Sequence, residues 1–213
     1  MSHKNGKDID QQNRPLTSVT RRGFIKGAGL SAAGAVILDH AELIAQEVGR
    51  GPAVMGPQAF PIVLNVNGKQ HRISVEPRTT LAEAMRSQLN LTGTKIVCDR
   101  GSCSACTVML GKTLVCSCMT LAADVGERRI TTIEGLAQGE QLHPVQAAFI
   151  AHDGLQCGFC TSGMVMSCAA LLERNPHPTM TDVKTAISGN ICRCGTYPKV
   201  FEAALAASGG KRA

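Results

Sequence analysis

Eight of the ten cysteines in this chain fall into two groups of four, and their spacing leaves few folds open. Cys98, Cys103, Cys106 and Cys118 follow C-x4-C-x2-C, with eleven residues before the fourth. Cys157 and Cys160, in Cys-Gly-Phe-Cys, are completed by Cys192 and Cys194 in Cys-Arg-Cys. Three chemistries compete for such a set. Disulfides are the ordinary reading of an even cysteine count in an exported chain, but one intervening residue gives Cys192 and Cys194 poor disulfide geometry. Zinc favours paired cysteines, yet C-x4-C-x2-C with a lone fourth ligand is unusual for it. Spacing favours two iron–sulfur clusters, and two clusters in one small chain imply a relay for single electrons.

The sets divide at about residue 140 of 213, which predicts two small domains. Below roughly 70 to 80 residues a hydrophobic core supplies only a few kcal/mol, so a cluster held by four thiolates would contribute directly to the stability of each. An aromatic content of 3% with no Trp fits that reading. The division expected is a signal region over 1–50, a linker over 51–60, a sheet domain over 61–137, a helical domain over 138–208 and a tail over 209–213. The net charge of +6 is scattered, with no basic stripe interleaved with aromatics, so nucleic acid is not an expected partner.

Residues 1–50 read as an address. Thr20-Arg21-Arg22-Gly23-Phe24-Ile25-Lys26 precedes the moderately apolar stretch Ala28 to Leu38, too short to span a bilayer as a mature helix. The arginine pair, Phe24 and Lys26 resemble the Tat export signal, which predicts a periplasmic protein that meets the Tat translocase already folded and loaded. A cleavage site near Leu43-Ile44-Ala45 is imperfect, and a basic amphipathic start or a short membrane anchor is the alternative. Stable membrane insertion is not expected.

Two strand runs, Ile62–Val66 and Lys69–Val75, flank Asn67-Gly68, a strong hairpin signal. Thr80-Leu81-Ala82-Glu83 is a capping box and predicts a short amphipathic helix over 80–90. Small residues Gly101, Ser102 and Ser104 let the first cysteine loop turn tightly around an anionic cluster. Thr107–Leu110 and Leu114–Ser117 read as a second hairpin that returns Cys118 to the loop, and Ile130–Ile133 as a closing strand. The expectation is an α+β chain: an N-terminal β-grasp, ferredoxin-like [2Fe–2S] domain followed by an all-α four-helix [2Fe–2S] domain. The predicted helices begin at His143-Pro144, run from Ser162 to Arg174, from a Thr181 cap to Ile187, and from Pro198 to Ala207. Cysteines at two inter-helix turns would set a cluster among helix ends, where N–H groups and dipoles offset thiolate charge.

Around these ligands stand Cys98-Asp-Arg-Gly-Ser-Cys103-Ser-Ala-Cys106-Thr-Val, Gln156-Cys157-Gly-Phe-Cys160-Thr-Ser-Gly-Met and Gly189-Asn-Ile-Cys192-Arg-Cys194-Gly-Thr-Tyr197. Over residues 61–208 the chain resembles the [2Fe–2S] subunits of the xanthine oxidase family of molybdenum hydroxylases. With the export signal added, it is most similar to those of periplasmic aldehyde oxidoreductases. The resemblance implies a three-part enzyme: a large subunit with molybdopterin in its cytosine dinucleotide form, this subunit, and an FAD subunit. It also implies an order for the electrons, from molybdenum to the Cys157, Cys160, Cys192 and Cys194 cluster, then to the Cys98, Cys103, Cys106 and Cys118 cluster, then to FAD. Gln156 and Cys194 are the implied contacts to the molybdenum cofactor. No catalytic residue is expected on this chain, and its sequence does not identify the substrate.

Departures from the family pattern are modest. Ser104 replaces a usual Gly and would be strained if the turn needs positive φ. Ser162 stands where Pro is frequent, with little expected effect. Cys116 alternates with Cys118 on an expected strand, so a ligand swap is open, although the spacing favours Cys118. Cys168 reads as a buried apolar residue. His143, His152 and His177 read as capping or loop residues. Arg100 and Arg193 are read equally as tuning groups for a cluster or as solvated surface charge. Two other functions compete with the subunit reading: a freestanding two-cluster ferredoxin and an exported disulfide-bonded binding module.

Overall fold

The computed structural model describes residues 56–209. The expected export signal, residues 51–55 of the 51–60 linker and residues 210–213 of the tail lie outside the described residues. Among those described, no helix is long and apolar enough to cross a membrane. The described residues form one compact unit. Within it a sheet half and a helical half each have their own core.

The sheet half begins with strands β1 (Phe60–Val66) and β2 (Lys69–Val75), paired antiparallel from Phe60↔Val75 to Val66↔Lys69. Both turn residues take positive φ, Asn67 at 51° and Gly68 at 78°. That is the twist a two-residue hairpin requires, and Asn and Gly tolerate it best. Strands β3 (Thr107–Leu110), β4 (Thr113–Cys116) and β5 (Arg129–Thr131) complete a mixed sheet in the order β2-β1-β5-β3-β4, with β1 and β5 parallel. Leu64, Val66, Val75, Val108 and Ile130 leave one face of this sheet and close over Leu81 and Met85.

The capping box of Thr80 and Glu83 is present and starts α1 (Leu81–Glu83). Only one turn of α-helix follows, because the chain passes into a π-helical turn over Ala84–Gln88. There Leu89 N–H donates to the Ala84 carbonyl, one residue farther back than in an α-helix. The wider turn leaves Ala84 and Met85 buried. It also directs Arg86, whose Nη1 donates to the Thr92 and Thr94 carbonyls at 2.7 Å each and so fixes the approach to the first cysteine loop. The expected regular helix over 80–90 is thus corrected by a π-turn that periodicity cannot reveal. A second correction concerns the fourth cysteine: β4 ends at Cys116, and Cys118 sits in a 3-10 turn, Ser117–Met119. Cys116 and Cys118 therefore do not share a strand face.

The helical half contains α2 (Pro144–Ala151), α3 (Thr161–Arg174), α4 (Met180–Ala186) and α5 (Tyr197–Ala207). His143 caps α2, its Nδ1 accepting from Val145 N–H at 3.2 Å. The cap of α4 is Thr179, closed into a box by Asp182, where Thr181 was expected. The Asp at the third helical position selects Thr179, because both halves of the box must be satisfied together. Helix α3 is buried along most of its length and includes Cys168, which is fully buried and has its thiol pushed up to about 12 by that burial. Met166 and Ala170 of this helix pack on Met109 of β3, so it is the element on which the sheet rests.

Candidate functional site

The first cysteine loop leaves the Arg86 clamp and turns three times through positive φ, at Asp99 (52°), Gly101 (70°) and Ser104 (55°). These turns point backbone N–H groups inward. Ser102 N–H donates to Cys98 Sγ at 3.3 Å and Gly101 N–H to Cys118 Sγ at 3.4 Å. Ser117 holds the fourth cysteine in place, its hydroxyl donating to the Cys106 carbonyl at 2.6 Å. The sulfurs meet in two pairs, Cys98 with Cys103 and Cys106 with Cys118. The Arg100 N–H beside Cys98, with the Cys103 side chain, lowers the Cys98 thiol to about 7. Burial pushes Cys118 up to about 11, with Cys106 adding to it.

The second set occupies the gaps between helices, as expected. Cys157 and Cys160 lie between α2 and α3, and Cys160 is the residue from which α3 starts. Cys192 and Cys194 lie between α4 and α5. Gly158 (87°) and Gly195 (75°) turn the chain at the two motifs. Again there are two pairs: Cys157 Sγ and Cys194 Sγ are 3.5 Å apart, and Cys160 is paired with Cys192. The pairs differ in depth, Cys160 and Cys192 being buried and Cys157 and Cys194 exposed. Burial pushes the Cys160 thiol up to about 12. Burial pushes Cys192 up too, but the hydroxyl and N–H of Thr196, the Cys160 side chain and the Cys194 N–H together more than reverse it and leave the thiol at about 7. The Phe159 N–H lowers Cys157, whereas sharing a hydrogen with Cys157 raises Cys194.

These donor sets suit a [2Fe–2S] rhomb, in which each of two irons takes two thiolates. All ten cysteines are free. The 3.5 Å separation of Cys157 and Cys194 is far longer than a disulfide bond of about 2.05 Å. Among the described residues no three His, Cys, Asp or Glu side chains converge closely enough for a single metal ion. Paired sulfurs with N–H groups aimed at them are what an anionic two-metal centre needs. Cys116 stands beside the first set: its Sγ reaches the Gly101 carbonyl at 3.8 Å and lies 3.9 Å from Ser104 Oγ.

The two loops touch directly. Ile191 N–H donates to the Cys103 carbonyl at 3.1 Å, which places one peptide unit and one hydrogen bond between a cysteine of the first set and Cys192 of the second. Asn190 Nδ2 donates to the Ser104 carbonyl at 3.2 Å, and its own Oδ1 accepts from Ser167 at 2.9 Å. Ser162 Oγ donates to the Ala105 carbonyl at 3.3 Å. Gly163 makes the approach possible, since a Cβ there would collide with the Ser104 carbonyl. Tyr197 then stiffens the second loop, its hydroxyl accepting from Cys192 N–H at 2.8 Å and donating to the Asn190 carbonyl at 3.0 Å.

Gln156 is exposed beside exposed Cys157. Arg100 is exposed and its Nε donates to the Cys98 carbonyl, while Arg193 is exposed. His152 lies 3.9 Å from Glu202 and His177 is in a loop. Sequence reasoning missed Ser162, Asn190, Thr196 and Tyr197. The available signal was a run of polar side chains next to ligand positions in an otherwise apolar helical half. Ser162 in particular does more than stand in for a Pro: it bonds the neighbouring loop.

Fold and sulfur placement together describe a chain made of two [2Fe–2S]-binding parts. Residues 64–137 match the family of 2Fe-2S iron-sulfur cluster binding domains, and residues 132–205 match a second [2Fe-2S] binding domain family. The aldehyde oxidoreductase iron-sulfur-binding subunit PaoA of Escherichia coli K12 is 42% identical over 207 residues, covering 90% of this chain and 89% of that protein. The nicotine 6-hydroxylase small subunit of Paenarthrobacter nicotinovorans is 47% identical over 148 residues, covering 70% of this chain and 89% of that one. Among solved structures, a chain of quinoline 2-oxidoreductase from Pseudomonas putida 86 superposes with a TM-score of 0.69 at 42% identity, covering 71% of this chain and 95% of that chain. The chain belongs to the iron–sulfur subunits of the xanthine oxidase, or molybdenum hydroxylase, family. It is a subunit of an oxidoreductase complex.

Proposed function

We propose that this chain is the electron-transfer subunit of a periplasmic molybdenum-dependent aldehyde oxidoreductase, carrying single electrons from a molybdopterin subunit through two [2Fe–2S] clusters to an FAD subunit. The observation that carries this reading is the contact of the two cysteine loops through the Cys103 carbonyl and Ile191 N–H, at 3.1 Å. When bound, each cluster accepts and releases one electron. Cys98, Cys103, Cys106 and Cys118 hold one, and Cys157, Cys160, Cys192 and Cys194 the other. The backbone N–H groups of Gly101 and Ser102 offset thiolate charge at the first, and the Thr196 hydroxyl does so at the second. Asn190 and Ser162 keep the two loops in register.

The outer pair of the second set, Cys157 and Cys194, is exposed and sits among the exposed apolar residues Leu155, Phe159 and Ile191 of the same loops. This supports docking of the molybdenum subunit there, with Gln156 and Cys194 as its cofactor contacts. Val97 and Met119, exposed beside Cys98 and Cys118, suit the flavin side. The likeness to PaoA supports the aldehyde assignment, and Arg21-Arg22 support Tat export.

Anaerobically purified protein should carry about four iron and four acid-labile sulfide per chain. Cys192→Ser should abolish one of two electron paramagnetic resonance signals, leave the other, and block flavin reduction by aldehyde in the purified complex; two unchanged signals would refute the ligand assignment. Arg21→Lys with Arg22→Lys should strand the chain in the cytoplasm, and undiminished periplasmic recovery would remove the export reading.

A further inference from the structure

Thr196 is buried, at 4% exposure, and its hydroxyl lies 3.1 Å from Cys192 Sγ. Among the described residues that oxygen has no other side-chain or backbone partner. A thiolate that ligates iron carries no hydrogen, so in the loaded protein the proton of this contact must belong to Thr196. Apart from the cysteine thiols themselves, every other donor resolved at a candidate ligand sulfur among the described residues is a backbone N–H, as with Gly101 and Ser102 at the first set. Cys192 is also the cysteine adjoining the Ile191 N–H that meets the Cys103 carbonyl. A hydroxyl is therefore aimed at the ligand sulfur next in sequence to the residue that bonds the other cluster's loop.

A reduced cluster carries one more negative charge than an oxidised one, and a hydrogen bond to its sulfur stabilises the more negative form more strongly. We propose that Thr196 is a positioning and tuning residue that raises the electron affinity of the helical-half cluster through its hydroxyl on Cys192, leaving the sheet-half cluster unaffected. The inference rests on the assignment of Cys157, Cys160, Cys192 and Cys194 to one cluster. The surrounding geometry isolates the effect, because Cys192 N–H is bonded to Tyr197 and not to Thr196, so removing the hydroxyl leaves the loop's own clamp in place.

The test is Thr196→Val against Thr196→Ser in the full-length chain with both clusters. Each variant is titrated with dithionite through mediators while both electron paramagnetic resonance signals are followed. Val keeps the shape and removes the donor. It should lower the electron affinity of one cluster by about tenfold, which for one electron is about 59 mV, with the other cluster as an unmoved internal reference. Ser keeps the donor and should restore the wild-type value. Deuterium exchange of the wild type should place an exchangeable deuteron at the helical-half cluster that Thr196→Val selectively removes, and should Val fail to assemble, Thr196→Ala makes the same comparison. An unshifted potential in the donor-less variants, equal shifts of both clusters, or a Ser variant that behaves like Val overturns the proposal. Loss of the two-signal pattern in the wild type would instead overturn the ligand assignment.

Discussion

Ser104 holds φ at 55°, a conformation that costs an L-residue roughly 1–2 kcal/mol where Gly is nearly indifferent. Its Oγ recovers little, with only a 3.9 Å contact to Cys116 Sγ. Ser104→Gly should therefore stabilise the loaded chain by about 0.5–1 kcal/mol after the larger chain entropy of Gly is set against it, and raise the thermal midpoint by about 2 °C. A lowered midpoint in calorimetry would mean that the hydroxyl contributes more than its distance implies. The strain was readable in sequence only as a condition, because the residue type was visible and the backbone angle was not. The same limit hid Thr196 and Asn190. A Thr or an Asn near a cysteine is common, and only folding decides whether its polar atoms reach a sulfur or a neighbouring carbonyl.

At the scale of elements, α2 depends on an unusual cap. His143 accepts from Val145 N–H through Nδ1, which requires a neutral ring. Burial lowers its pKa below 6.5, opposed by Glu173. The folded state thus resists protonation, so stability is fully present above about 6.5, falls as the pH drops below it, and levels off once the pH passes the folded pKa. His143→Asn supplies a cap that does not titrate. It should be close to neutral at pH 8 and more stable than wild type at pH 5 by about 1 kcal/mol, measured by denaturant unfolding at the two pH values. Parallel slopes for the two proteins would remove His143 from the acid response. Elements with strong local codes were legible: the Asn67-Gly68 hairpin and the Thr80–Glu83 box appear where the residues say they should. The π-turn after Glu83 and the Thr179 cap were not, since the first rests on a backbone bond from Leu89 N–H to the Ala84 carbonyl that no residue type announces and the second on which Thr can complete a box with Asp182.

For the whole molecule, the decisive contact is a helix backbone laid against the first cysteine loop at Gly163. A methyl there meets the Ser104 carbonyl, which is backbone and cannot swing aside. Gly163→Ala should destabilise the loaded chain by about 1–3 kcal/mol or more in thermal unfolding, and a neutral result would mean that the loop can retreat freely. This joint was illegible in the sequence, because the cysteine spacing describes each loop separately and gives no register between them. It also bears on how such chains diversify. Residues 104–105, 162–163 and 189–191 form one lock, so a sheet half borrowed from one relative and a helical half from another will fit only if all three segments are inherited together. The two halves have separate cores but are heritable only as a single cassette.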